Sequence, residues 1–254
     1  MKDRATPGRA MLGRAVPVLI VLAAWEAATR LGLVSPAMLP PFSTVLVALG
    51  GLVADGDLWR NLLASGPRSL AGFAAAVVVG TVLGGGMALS TGFRSVVNPV
   101  VQVFYPLPKS ALIPLLLVWF GLGDTSKAVL VFLGCLLPVV LSTYNGIAGV
   151  DHVLVWSARS MGASRLAIVR DVLLPAASPA ILTGIRTAIA FMFLLMVSSE
   201  LVIATNGLGY LIGSLGDAGS YPAMFAVILT VTALGYAADR GFLALSRHWL
   251  RWRE

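Results

Sequence analysis

The sequence has little charge and very few side chains suited to metal or redox chemistry. Charged residues make up 11% of its 254 positions, whereas soluble domains carry about 25%. A single cysteine, Cys135, excludes an internal disulfide. Two histidines and one cysteine cannot form a zinc site of the usual kind. These shortages favour a protein that is not an enzyme and that holds no metal.

Nucleotide-binding and nucleophilic motifs are also missing. No Gly-rich loop followed by Lys and Ser or Thr occurs after a predicted strand, so the chain has no ordinary ATP site. The serines and aspartates form no recognisable nucleophile site. We therefore expect no cofactor on this chain.

Apolar residues, in contrast, are abundant. They make up 58% of the chain, and the mean hydropathy is +0.90. The net charge is +7, but the basic residues are scattered among apolar ones and form no stripe of the kind that nucleic acids bind. This composition excludes an ordinary soluble enzyme, a disordered chain and a nucleic-acid-binding domain. It predicts a polytopic membrane protein in a lipid bilayer.

Charge-poor stretches of about 20 residues predict an all-α membrane helix bundle with six transmembrane helices in one domain, residues 16–250. The predicted spans are about 16–33, 69–92, 96–122, 128–149, 181–205 and 218–239. Leu31 to Ala54 is also uncharged, but Pro36, Pro40 and Pro41 would break a helix there. We expect an external loop with a short amphipathic piece in that stretch.

The distribution of basic residues predicts the orientation. With the N-terminus inside, thirteen Lys and Arg fall on the inner side and four on the outer side. Because cytoplasmic loops are enriched in basic residues, both tails, 1–15 and 240–254, are predicted to lie in the cytoplasm. The protein would then cross the bacterial cytoplasmic (inner) membrane several times.

One predicted cytoplasmic loop, residues 151–175, has helical signals of its own. Asp151 is a good N-cap, and apolar residues recur at helical spacing after it. Gly162 is suited to end that helix, since glycine readily takes the left-handed conformation. Ser164 is expected to cap a second short helix, which Pro175 would end. An apolar face outside the bilayer requires a partner or the membrane surface.

This loop resembles the E-A-A-x-x-x-G-x9-I-x-L-P signature of the membrane subunits of ATP-binding-cassette importers. Trp156 to Gly162 is followed by nine residues and then by Val-Leu-Leu-Pro175, although Trp156 replaces the usual Glu and Ser157 the usual Ala. The resemblance implies that the loop forms coupling helices, which dock on a cytoplasmic ATPase subunit that binds ATP and Mg. The coupling residues implied are Trp156, Ser157, Ala158, Arg159, Met161, Gly162, Ala163 and Pro175.

Two further stretches resemble one branch of these importers, which takes up nitrate, taurine, alkanesulfonates, bicarbonate or pyrimidine precursors. Residues 108–127 are similar to its P-K-x-A-L-x-P-L…W-F-G-x-G…S-K pattern. Glu200 with residues 204–212 is similar to the end of its fifth span. The resemblance implies a permease with the type I importer fold, a homodimer, and an extracytoplasmic binding protein that delivers a small anionic or polar solute. A self-sufficient secondary transporter or channel is the alternative.

Three ionisable residues at membrane depth allow two interpretations each. Lys109 either lines the path of an anion or extends to the cytoplasmic interface. Glu200 either forms a structural pair or gate contact with another span or binds substrate, with Ser198 and Ser199 as possible hydrogen-bond partners. Arg186 is expected to extend to the interface or bind lipid headgroups.

Overall fold

A computed structural model describes the chain from Pro7 to Arg251, with side chains from Val16 onward except that of Ile203. This part of the chain contains eleven α-helices and no strand. Their bounds are α1 Pro7–Arg30, α2 Phe42–Ala54, α3 Asp57–Leu89, α4 Thr91–Phe104, α5 Ile113–Phe120, α6 Asp124–Ala148, α7 His152–Ser160, α8 Arg165–Ile168, α9 Leu174–Ile203, α10 Leu208–Asp217 and α11 Tyr221–Trp249.

Four stretches of helix are long and apolar enough to cross a membrane, namely α3, α6, the continuous Arg165–Val202 and α11. The pair formed by α4 and Lys109–Phe120 makes a fifth if the two are counted together. The prediction of an all-α, multi-pass membrane protein is confirmed. The count of six remains a prediction, because part of α1, which holds the first predicted span, lacks described side chains.

The third predicted span is broken. Its two parts, Thr91–Phe104 and Lys109–Phe120, meet at an angle of 90°. Pro106 and Pro108 lie in the break, where their missing N–H groups and their steric effect on the preceding residue interrupt the helix. A short 3-10 turn, Lys109–Leu112, leads into α5.

The chain divides into two compact units. The smaller unit contains the residues up to Arg60 and Leu211–Thr230. Within it, Arg30 Nε lies 2.6 Å from Glu26 Oε1, the helix-end ion pair that the spacing of four predicts. The larger unit, Asn61–Tyr210 with the residues from Val231 on, contains every residue discussed below as a candidate site.

Glycines allow α3 and α6 of the larger unit to pack with their backbones in contact. A Cβ atom on Gly72 would collide with the carbonyl oxygen of Ala128, and one on Gly84 with that of Val140. Small residues at such positions permit close approach of membrane helices. The core beside this contact is apolar and includes Leu130 of α6.

Candidate translocation and coupling sites

A buried ion pair joins α3 to the end of α9. Arg68 on α3 donates from Nε and Nη2 to Glu200 Oε1, at 2.9 and 2.7 Å. The two residues are only 5% and 1% exposed. Glu200 therefore forms an ion pair with Arg68 of another helix. The neighbouring Ser198 and Ser199 do not hydrogen-bond to it, because both donate to backbone carbonyls of α9.

The remaining donors of Arg68 are also satisfied. Nη1 donates to Asp124 Oδ1 of α6 at 2.8 Å and to Asn206 Oδ1 at 3.0 Å, and Nη2 donates to the Asn206 carbonyl at 2.8 Å. Five hydrogen bonds thus use all five guanidinium N–H groups. A charge this deeply buried is tolerated only when it is paired and hydrogen-bonded.

The second oxygen of Glu200 binds the segment that follows α9. Oε2 accepts hydrogen bonds from Ser65 Oγ at 2.9 Å and from the Gly209 N–H at 2.8 Å. Gly207 has φ +112, and a Cβ atom there would collide with Arg68 Nη2. Residues 206–209, which connect α9 to α10, are thus bound by hydrogen bonds that we call the Arg68 network: Ser65, Arg68, Asp124, Glu200, Asn206 and Gly209.

Lys109 lies at the wall of a cavity of about 660 Å³ between the helix break, α6 and α9. Hydroxyl groups of Tyr105, Ser110 and Ser142 also line it, and its lining includes no carboxylate among the described residues. Lys109 Nζ donates to the carbonyls of Phe104 at 2.5 Å and Leu107 at 2.7 Å. The ammonium group therefore binds the backbone carbonyls at the helix break. Glu200 does not line this cavity.

Residues 151–175 begin as predicted. Asp151 Oδ1 accepts the Val153 N–H at 2.9 Å at the start of α7, Gly162 has φ +80 after its end, and Ser164 Oγ caps α8. The end of the loop differs from the prediction. A π-helical turn, Val169–Leu173, joins α8 to α9, so Pro175 lies in the first turn of α9 and ends no helix. Proline is tolerated there because that position needs no N–H donor.

The residues implied to couple to an ATPase differ in exposure. Trp156, Ser157, Arg159, Met161 and Gly162 are exposed, Ala163 and Pro175 are half-buried, and Ala158 is buried. The Trp156 ring stacks on His152 with centroids 6.2 Å apart. The segment thus presents the aromatic side chain of Trp156 to its surroundings, while Ala158 on the same helix is buried against the protein.

Arg186 has a specific protein partner and does not extend to the interface as expected. Its Nε lies 2.5 Å from Asp239 Oδ1 of α11, and its Nη2 lies 3.0 Å from Oδ2. Two parallel bonds of this kind favour Arg over Lys. The pair links α9 to α11 within the larger unit.

A family model described as "Binding-protein-dependent transport system inner membrane component" matches residues 76–251, which include the broken helix, the 151–175 segment and Glu200. The chain belongs to this family. Among its relatives, the taurine transport system permease protein TauC of Escherichia coli (strain K12) is 34% identical over 238 residues, covering 92% of this chain and 86% of TauC. The putative aliphatic sulfonates transport permease protein SsuC of the same strain is 35% identical over 251 residues, covering 98% and 95%.

Solved structures confirm the fold of this inner membrane component. A chain of the MetNI methionine ABC transporter in an inward-facing conformation is 23% identical, with a TM-score of 0.59 over 76% of this chain and 94% of that one. A chain of an amino acid ABC transporter with histidines is 18% identical, with a TM-score of 0.62 over 80% and 97%. At these identities the likeness concerns the fold alone.

Arg68 was not predicted from the sequence as a site residue; it was one of the four basic residues assigned to the outer side. A signal was available, since a carboxylate at the depth of Glu200 requires a cation. Arg68 directly precedes a long uncharged run of α3, where a charge at the end of a span can turn inward. The contributions of Asn206 and Gly209 could not be found in this way, because they depend on backbone geometry.

Proposed function

We propose that this chain is the permease subunit of an ATP-driven, binding-protein-dependent importer of a small anionic or polar solute, with sulfonates and taurine as the first candidates. The observation that carries the proposal is the exposed coupling segment on a membrane bundle whose sequence contains no ATP site of its own. The names of TauC and SsuC support the solute class.

The coupling segment, residues 151–175, is proposed to dock on a cytoplasmic ATPase subunit that binds ATP and Mg. Its exposed apolar side chains would be unfavourable in contact with water, so we expect a partner to cover them. Trp156, Ser157, Arg159, Met161 and Gly162 would form the contact, while Ala158, Ala163 and Pro175 hold its shape. Both termini then lie in the cytoplasm of a bacterial cell, as the distribution of basic residues favours.

Two copies of the chain are proposed to enclose the translocation path, and an extracytoplasmic binding protein delivers the solute. Lys109 and the cavity beside it form one wall of that path. A cation with no carboxylate among the described lining residues, beside hydroxyl groups, favours an anion over a cation of the same size. Glu200 is excluded from direct solute contact, since both of its oxygens are used inside the Arg68 network.

Transport would proceed by alternating access. ATP binding brings the two ATPase subunits together, and their closure moves the coupling segments and shifts the equilibrium between inward and outward states. The bundle must then transmit a displacement from α7 and α8 to α9. Continuous helix joins α8 to α9, and α7 precedes α8 across the turn at Gly162.

The test is reconstitution of the chain with its ATPase subunit in liposomes, with the binding protein outside. Taurine, short alkanesulfonates, nitrate and pyrimidines are compared as solutes. We expect uptake that requires ATP and the binding protein, and ATP hydrolysis that the right solute stimulates. A self-sufficient secondary transporter or channel, the alternative, would move solute without either partner, and that result would refute the proposal.

A further inference from the structure

The exposed part of the coupling segment is strongly apolar at its centre. Trp156 is 62% exposed, Met161 79% and Leu166 76%. Large side chains are seldom left in contact with water in this concentration unless another surface covers them. The segment therefore has an apolar centre that requires a complementary partner.

Exposed arginines alternate along the chain with these apolar residues. Arg159 and Arg165 are exposed, and neither has an ion pair within the described residues. Arg170 lies 3.6 Å from Asp171, so its charge is partly compensated. No carboxylate lies at position 156, where the signature of the importer family carries Glu. The coupling face, which we define as Trp156, Arg159, Met161, Arg165 and Leu166, is thus apolar and cationic.

The indole of Trp156 is held in place before any partner binds. It stacks on His152 with an interplanar angle of 25°, one helical turn away on α7. A side chain that is already oriented loses less conformational entropy on binding. Trp and Arg are also the residue types that most often dominate the energy of protein interfaces.

A membrane surface fits this helix less well than a protein does. At 100° per residue, Ser160 falls between Trp156 and Val153 around α7, and Ser157 falls between Val153 and Leu154. Helices that lie in a bilayer interface keep a large apolar face separate from a polar face, whereas these serines lie within the apolar face of α7. Alternating serines and large apolar residues are instead suited to a protein groove with hydrogen-bonding walls.

We propose that the coupling face recognises an ATPase subunit whose docking groove is apolar at its centre and carries carboxylates at its rim, and that Trp156 determines this specificity. The inference rests on the proposed function. The indole fills the centre of the groove, while Arg159 and Arg165 meet the carboxylates. A groove that presents a cation to a glutamate would be rejected, since the indole and the two arginines offer it no negative charge.

The experiment measures the affinity of the full-length chain, in nanodiscs of phosphatidylcholine, for the ATPase subunit of its own importer. Trp156→Ala, Trp156→Phe and Trp156→Glu are compared with the wild type. Trp119→Ala is the matched control, because Trp119 is 65% exposed and lies outside the segment. Trp156 and Trp119 are both exposed in the wild type, so we expect their variants to fold.

We expect Trp156→Ala to raise the Kd at least about 30-fold, the size of an interface hot spot. Trp156→Phe should stay within about fivefold because it keeps an aromatic apolar side chain. Trp156→Glu should bind no better than Trp156→Ala, since its carboxylate would enter an apolar centre near other carboxylates. Added salt should weaken wild-type binding, and Arg159→Gln should reduce that salt dependence.

Wild-type affinity in either Trp156→Ala or Trp156→Glu would overturn the inference. So would quenching of Trp156 fluorescence by brominated lipids in the assembled complex, measured as the difference from Trp156→Phe, because it would place the indole in the membrane. Failure of the wild type to bind any ATPase subunit is a different result: it refutes the proposed function itself.

Discussion

Replacing Glu200 by glutamine keeps the size of the side chain but removes the charge that balances Arg68. The guanidinium stays buried at 5% exposure, and its remaining anionic partner is Asp124, whose side chain is 72% exposed. Removing one partner of a buried ion pair costs about 3–5 kcal/mol. Because Asp124 and Asn206 stay within hydrogen-bond distance, we expect a loss of stability near the lower end, about 3 kcal/mol.

The assay is equilibrium unfolding of the purified chain in mixed micelles, followed by tryptophan fluorescence. Arg60→Gln is the matched control, since it breaks an ion pair with Asp57 near the start of the same helix, α3. The side chains of that pair are 74% and 46% exposed, and exposed pairs contribute about 0–1 kcal/mol. The double variant Arg68→Met with Glu200→Gln completes a cycle that isolates the coupling between the two charges.

We expect the double variant to be more stable than the sum of the losses in Arg68→Met and Glu200→Gln implies, because it leaves no uncompensated buried charge. If the free energy of unfolding of Glu200→Gln lies within about 1 kcal/mol of the wild type, as expected for Arg60→Gln, then Arg68 and Glu200 do not form a buried, fully hydrogen-bonded ion pair. That outcome would also remove the reason for excluding Glu200 from solute contact.

Three further predictions concern other positions. Gly207→Ala should destabilise the chain by more than Gly219→Ala in the same unfolding assay. Both glycines have positive φ, +112 and +71, where alanine is strained, but of the two only position 207 would bring the new Cβ into collision with Arg68; equal losses would contradict this. Lys109→Gln should lower the uptake of an anionic solute several-fold while the complex still assembles, and Lys109→Arg should preserve part of it; normal uptake by Lys109→Gln would rule out a role in the path. Ser157→Cys, made in a Cys135→Ala background and expressed without the ATPase subunit that would cover it, should react with a membrane-impermeant maleimide in inside-out vesicles and not in intact cells, and the opposite pattern would invert the proposed orientation.

Much of the fold followed from the sequence because transmembrane helices are specified locally. An uncharged run such as 128–149 is long enough to span a bilayer, and α6 was found within four residues of it at its start. The helix α3 begins twelve residues before the predicted span 69–92, across Arg60 and Arg68, which were counted among the outer charges. Charges exclude a segment from the apolar core of a bilayer, but they do not end a helix.

The candidate sites were predicted less completely. The N-cap at Asp151 and the turn at Gly162 were predictable, since both depend on neighbouring residues. The π-helical turn before Pro175 was not, because the helix continues through it as part of a longer span. The pairing of Arg68 with Glu200 joins residues 132 positions apart, and no local pattern encodes such a distance.

The glycine contacts between α3 and α6 limit how this bundle can move. Where two backbones touch, as at Gly72 and Gly84, no side chain is present to fill the space that separation would open. The two helices must therefore travel together as one rigid body through the transport cycle. We expect part of the displacement that opens one side of the membrane and closes the other to be absorbed where the chain is already bent, at the 90° break beside Lys109.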